Sequence, residues 1–152
     1  MRCWLLAVGR AKAGPELDLT RAYGGRLQPP LEVREVEEKR KPPVAERKAR
    51  EAELLLAALP VGAVVVALDE RGESLSSTAF AERLGRWRDD GCGDLAFLIG
   101  GADGHGDAVR RRADLSLSLG TMTWPHMLVR VLVAEQLWRG FSILNGHHYH
   151  RD

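Results

Sequence analysis

Chemistry in this sequence is concentrated where apolar runs stop. Three runs end in residues that suit a ligand: Leu68-Asp69, Gly100-Gly101, and the stretch from Leu119 through Pro125. In open α/β sheets ligands sit outside the carboxyl ends of strands. Glycine at such an end lets backbone approach the ligand with no side chain in between. Any one of these segments, taken alone, reads equally as an ordinary turn. Three of them at successive strand ends point to one shared pocket. The loop IGGADGHG, from Ile99 to Gly106, has no Lys-Ser/Thr pair after it and lacks the dinucleotide glycine spacing. It therefore suits a ligand held by backbone groups and apolar walls better than a bound phosphate.

A second concentration lies at the end of the chain. His147, His148 and His150 fall in the last six residues, together with Tyr149 and Arg151, while His105 and His126 belong to the loops already named. Zinc needs a fixed ligand framework, and a tail without cysteine or carboxylate partners does not provide one, so no metal is expected. A tail mixing an aromatic ring, imidazoles and an arginine suits closure over a substrate. Arg110-Arg111-Arg112 and Lys39-Arg40-Lys41 are candidate phosphate contacts, or simply solvated faces. Trp87 and Trp138 sit at helical spacing and read as core or interface; Tyr23 and Trp4 carry no functional assignment.

The elements that position these residues alternate. Arg2–Val8 and Leu31–Val36 read as strands, and Ala63–Leu68 (AVVVAL) and Leu95–Ile99 (LAFLI) as strands buried on both faces. Leu115–Leu119 is a further strand. Asp69-Glu70-Arg71-Gly72 reads as a turn, and Ser77 as the N-cap of a helix running to about Asp89. Pro15–Tyr23, Val44–Leu59 and Asp107–Ala113 read as helices, with the double proline at Pro42-Pro43 excluding helix just before Val44. A long helix begins at Pro125. Its apolar stripe comprises Met127, Leu128, Val131, Leu132, Leu137, Trp138 and Phe141, with Glu135 and Arg139 as an i,i+4 pair. The expected architecture is one α/β domain spanning 1–152 with a mostly parallel sheet.

Composition excludes several classes. A chain of 152 residues with 45% hydrophobic and 28% charged residues fits a globular domain and not a disordered one. No apolar run reaches membrane-span length, and Met1–Gly9 is too short for a signal peptide. Cys3 and Cys92 match no metal spacing and read as free thiols in a reducing, cytoplasmic setting. A net charge of +1 does not by itself suggest nucleic acid. An RNA role therefore needs clustered charge, or a multimer that brings patches together.

The order LDERG and SS-x-x-FA (Leu68 to Ala81), FLIGGADG (Phe97 to Gly104), LSLGTMTWPHMLVRVLVAEQLWR (Leu117 to Arg139) and terminal YHRD resembles the ribosomal large-subunit methyltransferase H family of the SPOUT class. The resemblance covers essentially the whole chain and is strongest from Leu68 onward. It implies a C-terminal trefoil knot, a homodimer, and S-adenosylmethionine as cofactor, used to methylate N3 of a pseudouridine in 23S rRNA of the assembled ribosome. Carried over position by position, the cofactor contacts are Leu68, Gly100, Leu119, Gly120, Thr121, Met122, Thr123 and Trp124. The sequence departs from the family at Gly120-Thr121, at His148, where proline is usual, and at Gly140, where alanine is common.

Methyl transfer from a sulfonium is an in-line displacement that rests on orientation and desolvation, and the N3 proton must leave before or during attack. His150 is the first candidate for the base that takes it. Arg151 is expected to hold a phosphate or base carbonyl, and Tyr149 to stack or hydrogen-bond. His126 is expected to be structural.

Overall fold

The computed structural model describes residues 1–151. Its elements follow in the order β1 (Arg2–Val8), α1 (Pro15–Gly24), β2 (Glu32–Val36), α2 (Val44–Ala57), β3 (Val64–Ser74), α3 (Ser77–Asp89), β4 (Asp94–Ile99), α4 (Asp107–Arg112), β5 (Leu115–Ser118) and α5 (His126–Leu144). The strands form one sheet in the order β2-β1-β4-β3-β5, with every neighbouring pair parallel.

Parallel strands need crossovers, and the crossovers cover both faces of the sheet. Period-two alternation in β1 divides its side chains accordingly. Cys3, Leu5 and Ala7 join Phe97, Val66 and the inner residues of α3 and α5, among them Phe80, Leu84, Val133 and Leu137. Trp4, Leu6 and Val8 join Val65, Ala67 and Leu98 against Ala52 and Leu55 of α2 and Val109 of α4. The inner stretches of the central strands, residues 3–8, 64–68 and 95–99, are therefore apolar throughout, and β2 at the edge is largely exposed. Both cysteines are free, with Cys3 in the core.

Three boundaries differ from the sequence reading. Asp69 to Gly72 does not end its strand: Leu68 pairs with Leu117, the chain arches out, and Glu73 pairs with the same Leu117 before Ser74 meets Ser118. The polar run looks like a turn because it is an excursion within β3. Ser76, not Ser77, caps α3: its Oγ accepts the Ala79 N–H at 3.1 Å, whereas the Ser77 hydroxyl donates to Gln136 at 2.7 Å. Pro125 precedes α5 as its cap rather than starting it.

The stripe on α5 is also rotated from the expected one. Val131, Val133, Ala134 and Leu137 are buried, and so is Arg130, while Leu128 lies on the outside. Arg130 survives burial because its guanidinium donates to the Glu35 carboxylate and to the Gly9 carbonyl, at 3.1 Å for the latter. It thereby ties α5 to the carboxyl ends of β1 and β2.

The excursion in β3 depends on Gly72. A Cβ there would lie 2.5 Å from the Ser116 carbonyl oxygen and 2.8 Å from Leu117 N, both backbone atoms of β5 that cannot rotate away. Overpacking of this kind costs roughly 1–3 kcal/mol. Gly72→Ala is expected to lower the urea midpoint by an amount at the upper end of that range with no change in m-value; an unchanged midpoint would contradict the close packing.

Candidate active site

The carboxyl ends of β3, β4 and β5 lie side by side, and their loops enclose a cleft of about 380 Å³. Leu68 and the Asp69–Arg71 arch form one wall, and Ile99 with the Gly100–His105 loop forms another. Leu117, Leu119, Gly120, Met122, Thr123 and Trp124 form the third, with His126 and Val129 of α5 at its edge. Of the eight residues expected to hold the cofactor, Thr121 alone does not line this cleft; it is exposed. The loop from Leu119 to Trp124 also borders a neighbouring cavity of about 410 Å³, whose far side is Ser74, Ser77, Phe80 and Gln136.

The walls are held from behind. Gly100 has no room for a side chain, since a Cβ would meet the Gly104 carbonyl carbon at 2.9 Å, so the loop folds tightly back on itself. Gly120 adopts φ 114, a conformation that favours glycine. Its N–H donates to Ser118 Oγ at 3.1 Å, and the Trp124 indole N–H donates to the Leu119 carbonyl at 3.3 Å. The Ser118 hydroxyl also reaches the Glu70 carbonyl at 3.1 Å, joining the third wall to the first.

Charge near the cleft is mostly neutralised within the chain. Burial works against the charge on Asp69, but the Arg71 backbone N–H at 3.0 Å and the Arg110 guanidinium at 3.1 Å outweigh it. The Asp69 carboxyl is held below its usual range. The triple arginine divides accordingly: Arg110 serves Asp69, Arg112 serves Asp114 and the Ala63 carbonyl, and Arg111 is exposed. Arg40 folds back on Glu38.

His105 is 3% exposed and donates Nε2–H to the Leu98 carbonyl at 3.0 Å. Burial holds its imidazole below the ordinary histidine value. It is a fixed part of the β4 end and not a tail-like mobile group. His126 is exposed at the cleft edge, beside the ligand space, in keeping with its place next to the Leu119 to Pro125 loop.

The C-terminal residues are elsewhere. Tyr149 donates its hydroxyl to Glu135 at 3.1 Å and meets the Trp138 ring edge-on at a centroid distance of 6.0 Å. Burial, with hydrogen bonds to Tyr23 and Glu135, pushes its phenol up to about 12. Arg139 donates to the same Glu135 oxygen at 2.6 Å and approaches His150 Nδ1 at 3.1 Å. Arg151 is exposed. Arg139 and Val129 are ten residues apart on α5, so the docked tail and the cleft of the same chain are separated by about 15 Å of helix at 1.5 Å per residue.

Sequence reasoning missed Arg130, Tyr23 and the tail-holding role of Arg139. A lone charge inside an apolar stripe was the one available signal for Arg130. Neither Tyr23 nor the reach of Arg139 to the tail has a local signature. Among the described residues no group of three or more His, Cys, Asp or Glu is placed to hold a metal, and no helix is long and apolar enough to cross a membrane.

A parallel sheet with ligand-sized loops gathered at three adjacent strand ends, and a long final helix packed over one face, defines an α/β enzyme-type scaffold. The family described as "Predicted SPOUT methyltransferase" matches residues 1–150. Ribosomal RNA large subunit methyltransferase H of Paramagnetospirillum magneticum is 68% identical over 99% of both chains. The protein of the same name from Rhodospirillum rubrum is 58% identical over the full length of each. Among solved structures, the SpoU methyltransferase AviRb from Streptomyces viridochromogenes aligns with a TM-score of 0.51 at 14% identity, over 96% of this chain and 61% of that one. The chain belongs to the SPOUT methyltransferase family and, within it, to the large-subunit methyltransferase H family.

One acidic residue behind the cleft makes the electrostatics testable. Glu51 of α2 is 9% exposed, its Oε1 has no hydrogen-bond partner, and a Cβ on Gly101 would sit 3.1 Å from both its oxygens. Burial pushes its carboxyl above the ordinary range; the Arg47 cation opposes the push and Asp103 adds to it. With the folded-state value raised, charging Glu51 costs stability at neutral pH, and that cost vanishes once the carboxyl is protonated in both folded and unfolded chains. Glu51→Gln is therefore expected to raise the urea midpoint at pH 7, with the two proteins converging as pH falls through the carboxylate range. A lower midpoint for the variant at pH 7 would show that the carboxylate is stabilising.

Proposed function

We propose that the protein transfers a methyl group from S-adenosylmethionine to N3 of a pseudouridine in 23S rRNA of the assembled ribosome, acting as a cytoplasmic homodimer. The observation that carries the reading is the cleft itself. Walls from three strand ends converge on one space, and seven of the eight residues expected to hold the cofactor line it. The volume lies within the range for small-molecule sites. The chemistry of the walls suits the cofactor: apolar side chains of Leu68, Leu117 and Leu119 for a purine, and backbone at Gly100 and Gly120, unscreened by any side chain of its own, for its polar edges.

When bound, the cofactor supplies an electrophilic methyl group on a sulfonium. The chain's part is to hold that group in line with the incoming nitrogen and to exclude water. Leu119 to Trp124 does both, being the wall common to the cleft and its neighbouring cavity. Held by Leu68, Gly100 and the Leu119 to Trp124 wall, the cofactor would supply its methyl group to N3 and keep the electron pair on sulfur, and the N3 proton would pass to solvent.

The same reading calls for a second copy of the chain. The tail expected at the substrate docks well along α5 from its own cleft, so one cleft and the tail of a partner complete a site. Met122, Trp124 and Leu128 are exposed around the cleft and the first turns of α5 at 77%, 43% and 36%, an apolar surface suited to a two-fold interface. The reading also makes the C-terminal half a trefoil knot within a single domain, a path consistent with β3 lying between β4 and β5.

The test is to incubate the protein with methyl-labelled S-adenosylmethionine and ribosomes lacking the modification, then map the label by nuclease digestion and mass spectrometry. Label on one pseudouridine of 23S rRNA is expected; label on another nucleotide would overturn the target, and neither transfer nor cofactor binding would overturn the enzyme. Trp124→Ala, which removes the clasp on Leu119, is expected to weaken S-adenosylhomocysteine binding by roughly tenfold, about 1.4 kcal/mol, in calorimetric titration.

A further inference from the structure

We infer that the cavity beyond the Leu119 to Trp124 wall seats the target base, and that Ser77 and Gln136 grip the N1–H and O2 edge that a pseudouridine has and a uridine lacks. The inference rests on the reading above, that a pseudouridine is methylated at N3, and adds the residues that choose it.

Among the described residues no charged side chain lines this cavity of about 410 Å³, so it suits a neutral ligand. Phe80 and Phe97, both buried, form its inner wall and meet edge to face with ring centroids 6.1 Å apart. Leu132 and Val133 of α5 add apolar surface. A flat ring swung out of an RNA strand needs apolar faces of this kind and a few polar groups for its edge. Two of the lining hydroxyls are engaged elsewhere: Ser76 caps α3, and Ser118 bonds to Glu70 and Gly120. Ser77 and Gln136 bond to each other, the Ser77 hydroxyl donating to Gln136 Oε1 at 2.7 Å. This sets an acceptor on Ser77 Oγ beside a donor on Gln136 Nε2.

A uracil-type ring offers a donor next to an acceptor only along certain edges. In uridine every such edge includes N3–H, the position that must stay open to the methyl group. Pseudouridine, joined to its sugar through carbon, carries an extra N1–H beside the C2 carbonyl. Gln136 Nε2 on O2 and Ser77 Oγ on N1–H hold that edge and leave N3 free. When the two rings are superposed by sugar bond, N3 and carbonyls, uridine presents C5–H where pseudouridine presents N1–H. Uridine keeps the Gln136 contact, through O4, and loses the Ser77 one. The wall that divides this cavity from the cofactor cleft is open at Gly120, where a Cβ would meet no atom within 4 Å.

The test compares methyl transfer by the full-length protein to ribosomes carrying pseudouridine or uridine at the target position, reading kcat/KM for each. The unmodified protein is expected to favour pseudouridine. Ser77→Ala is expected to lower that preference about tenfold, the scale of one hydrogen bond. Gln136→Met is expected to lower kcat/KM by a similar factor on both ribosomes and to keep the preference, because both rings present a carbonyl to it. S-adenosylhomocysteine affinity, read by calorimetric titration, is expected to be unchanged in both variants. An unchanged preference in Ser77→Ala, or equal rates of the unmodified protein on the two ribosomes, would overturn the inference. A fall in S-adenosylhomocysteine affinity would assign the two residues to the cofactor and overturn it equally. Absence of transfer to either ribosome by the unmodified protein would instead count against the proposed reaction.

Discussion

The architecture depends on β5 being paired twice at one place. Leu117 is partner to Leu68 and again to Glu73, so β3 must leave the sheet and return across a single residue of its neighbour. Asp69, Glu70, Arg71 and Gly72 fill the arch. It stays raised because Gly72 lies flat on the β5 backbone, Ser118 holds the Glu70 carbonyl, and Asp69 is tied to Arg71 and Arg110. Without the arch, the β3 end would have no wall to offer the glycine loop of β4. The sheet supplies the alignment of the three strand ends, and this local departure from regular pairing supplies depth.

Burial of the sheet on both faces explains where function is permitted. The faces of β1, β4 and β3 are covered by helices, so a ligand can reach only strand ends, and the edge strand β2 contributes almost nothing to the core. α5 serves both surfaces of the enzyme. Its first turns border the cleft, its middle packs against the sheet, and its last turns hold the C-terminal residues. Arg130, in the second turn of this helix, is tied to Gly9 and Glu35, so the cleft end of α5 cannot shift without disturbing a buried charge.

Much of this was legible in the sequence because it follows from short-range rules. β-branched and apolar runs marked the buried strands, and the residues that end them marked the cleft walls. What was not legible depends on distant atoms. Asp69 to Gly72 has the composition of a turn, and only the neighbouring β5 backbone shows that pairing resumes beyond it. Ser76 and Ser77 are the same residue type, and the cap is decided by which backbone leads into the helix. The expected stripe on α5 included Leu128 and omitted Arg130, since hydrophobicity cannot anticipate a guanidinium satisfied by a residue 95 positions away. For the tail, residue types suggested chemistry, but its docking against Glu135 and Arg139 depends on side chains of α5 whose reach no pattern encodes.

The stretch from Leu119 to Trp124 stands between two cavities of nearly equal size, about 380 and 410 Å³. Such a stretch is a partition, and a partition cannot be displaced toward one chamber without enlarging the other. Its anchors, Gly120 on Ser118 and Trp124 on Leu119, lie within the partition or at its foot, so both chambers share the same supports. A substitution at Leu119, Gly120 or Trp124, which line both chambers, therefore alters both at once. The far chamber is walled by Phe80 of α3 and Gln136 of α5, so the two helices that cover this face of the sheet also close the space behind the cleft.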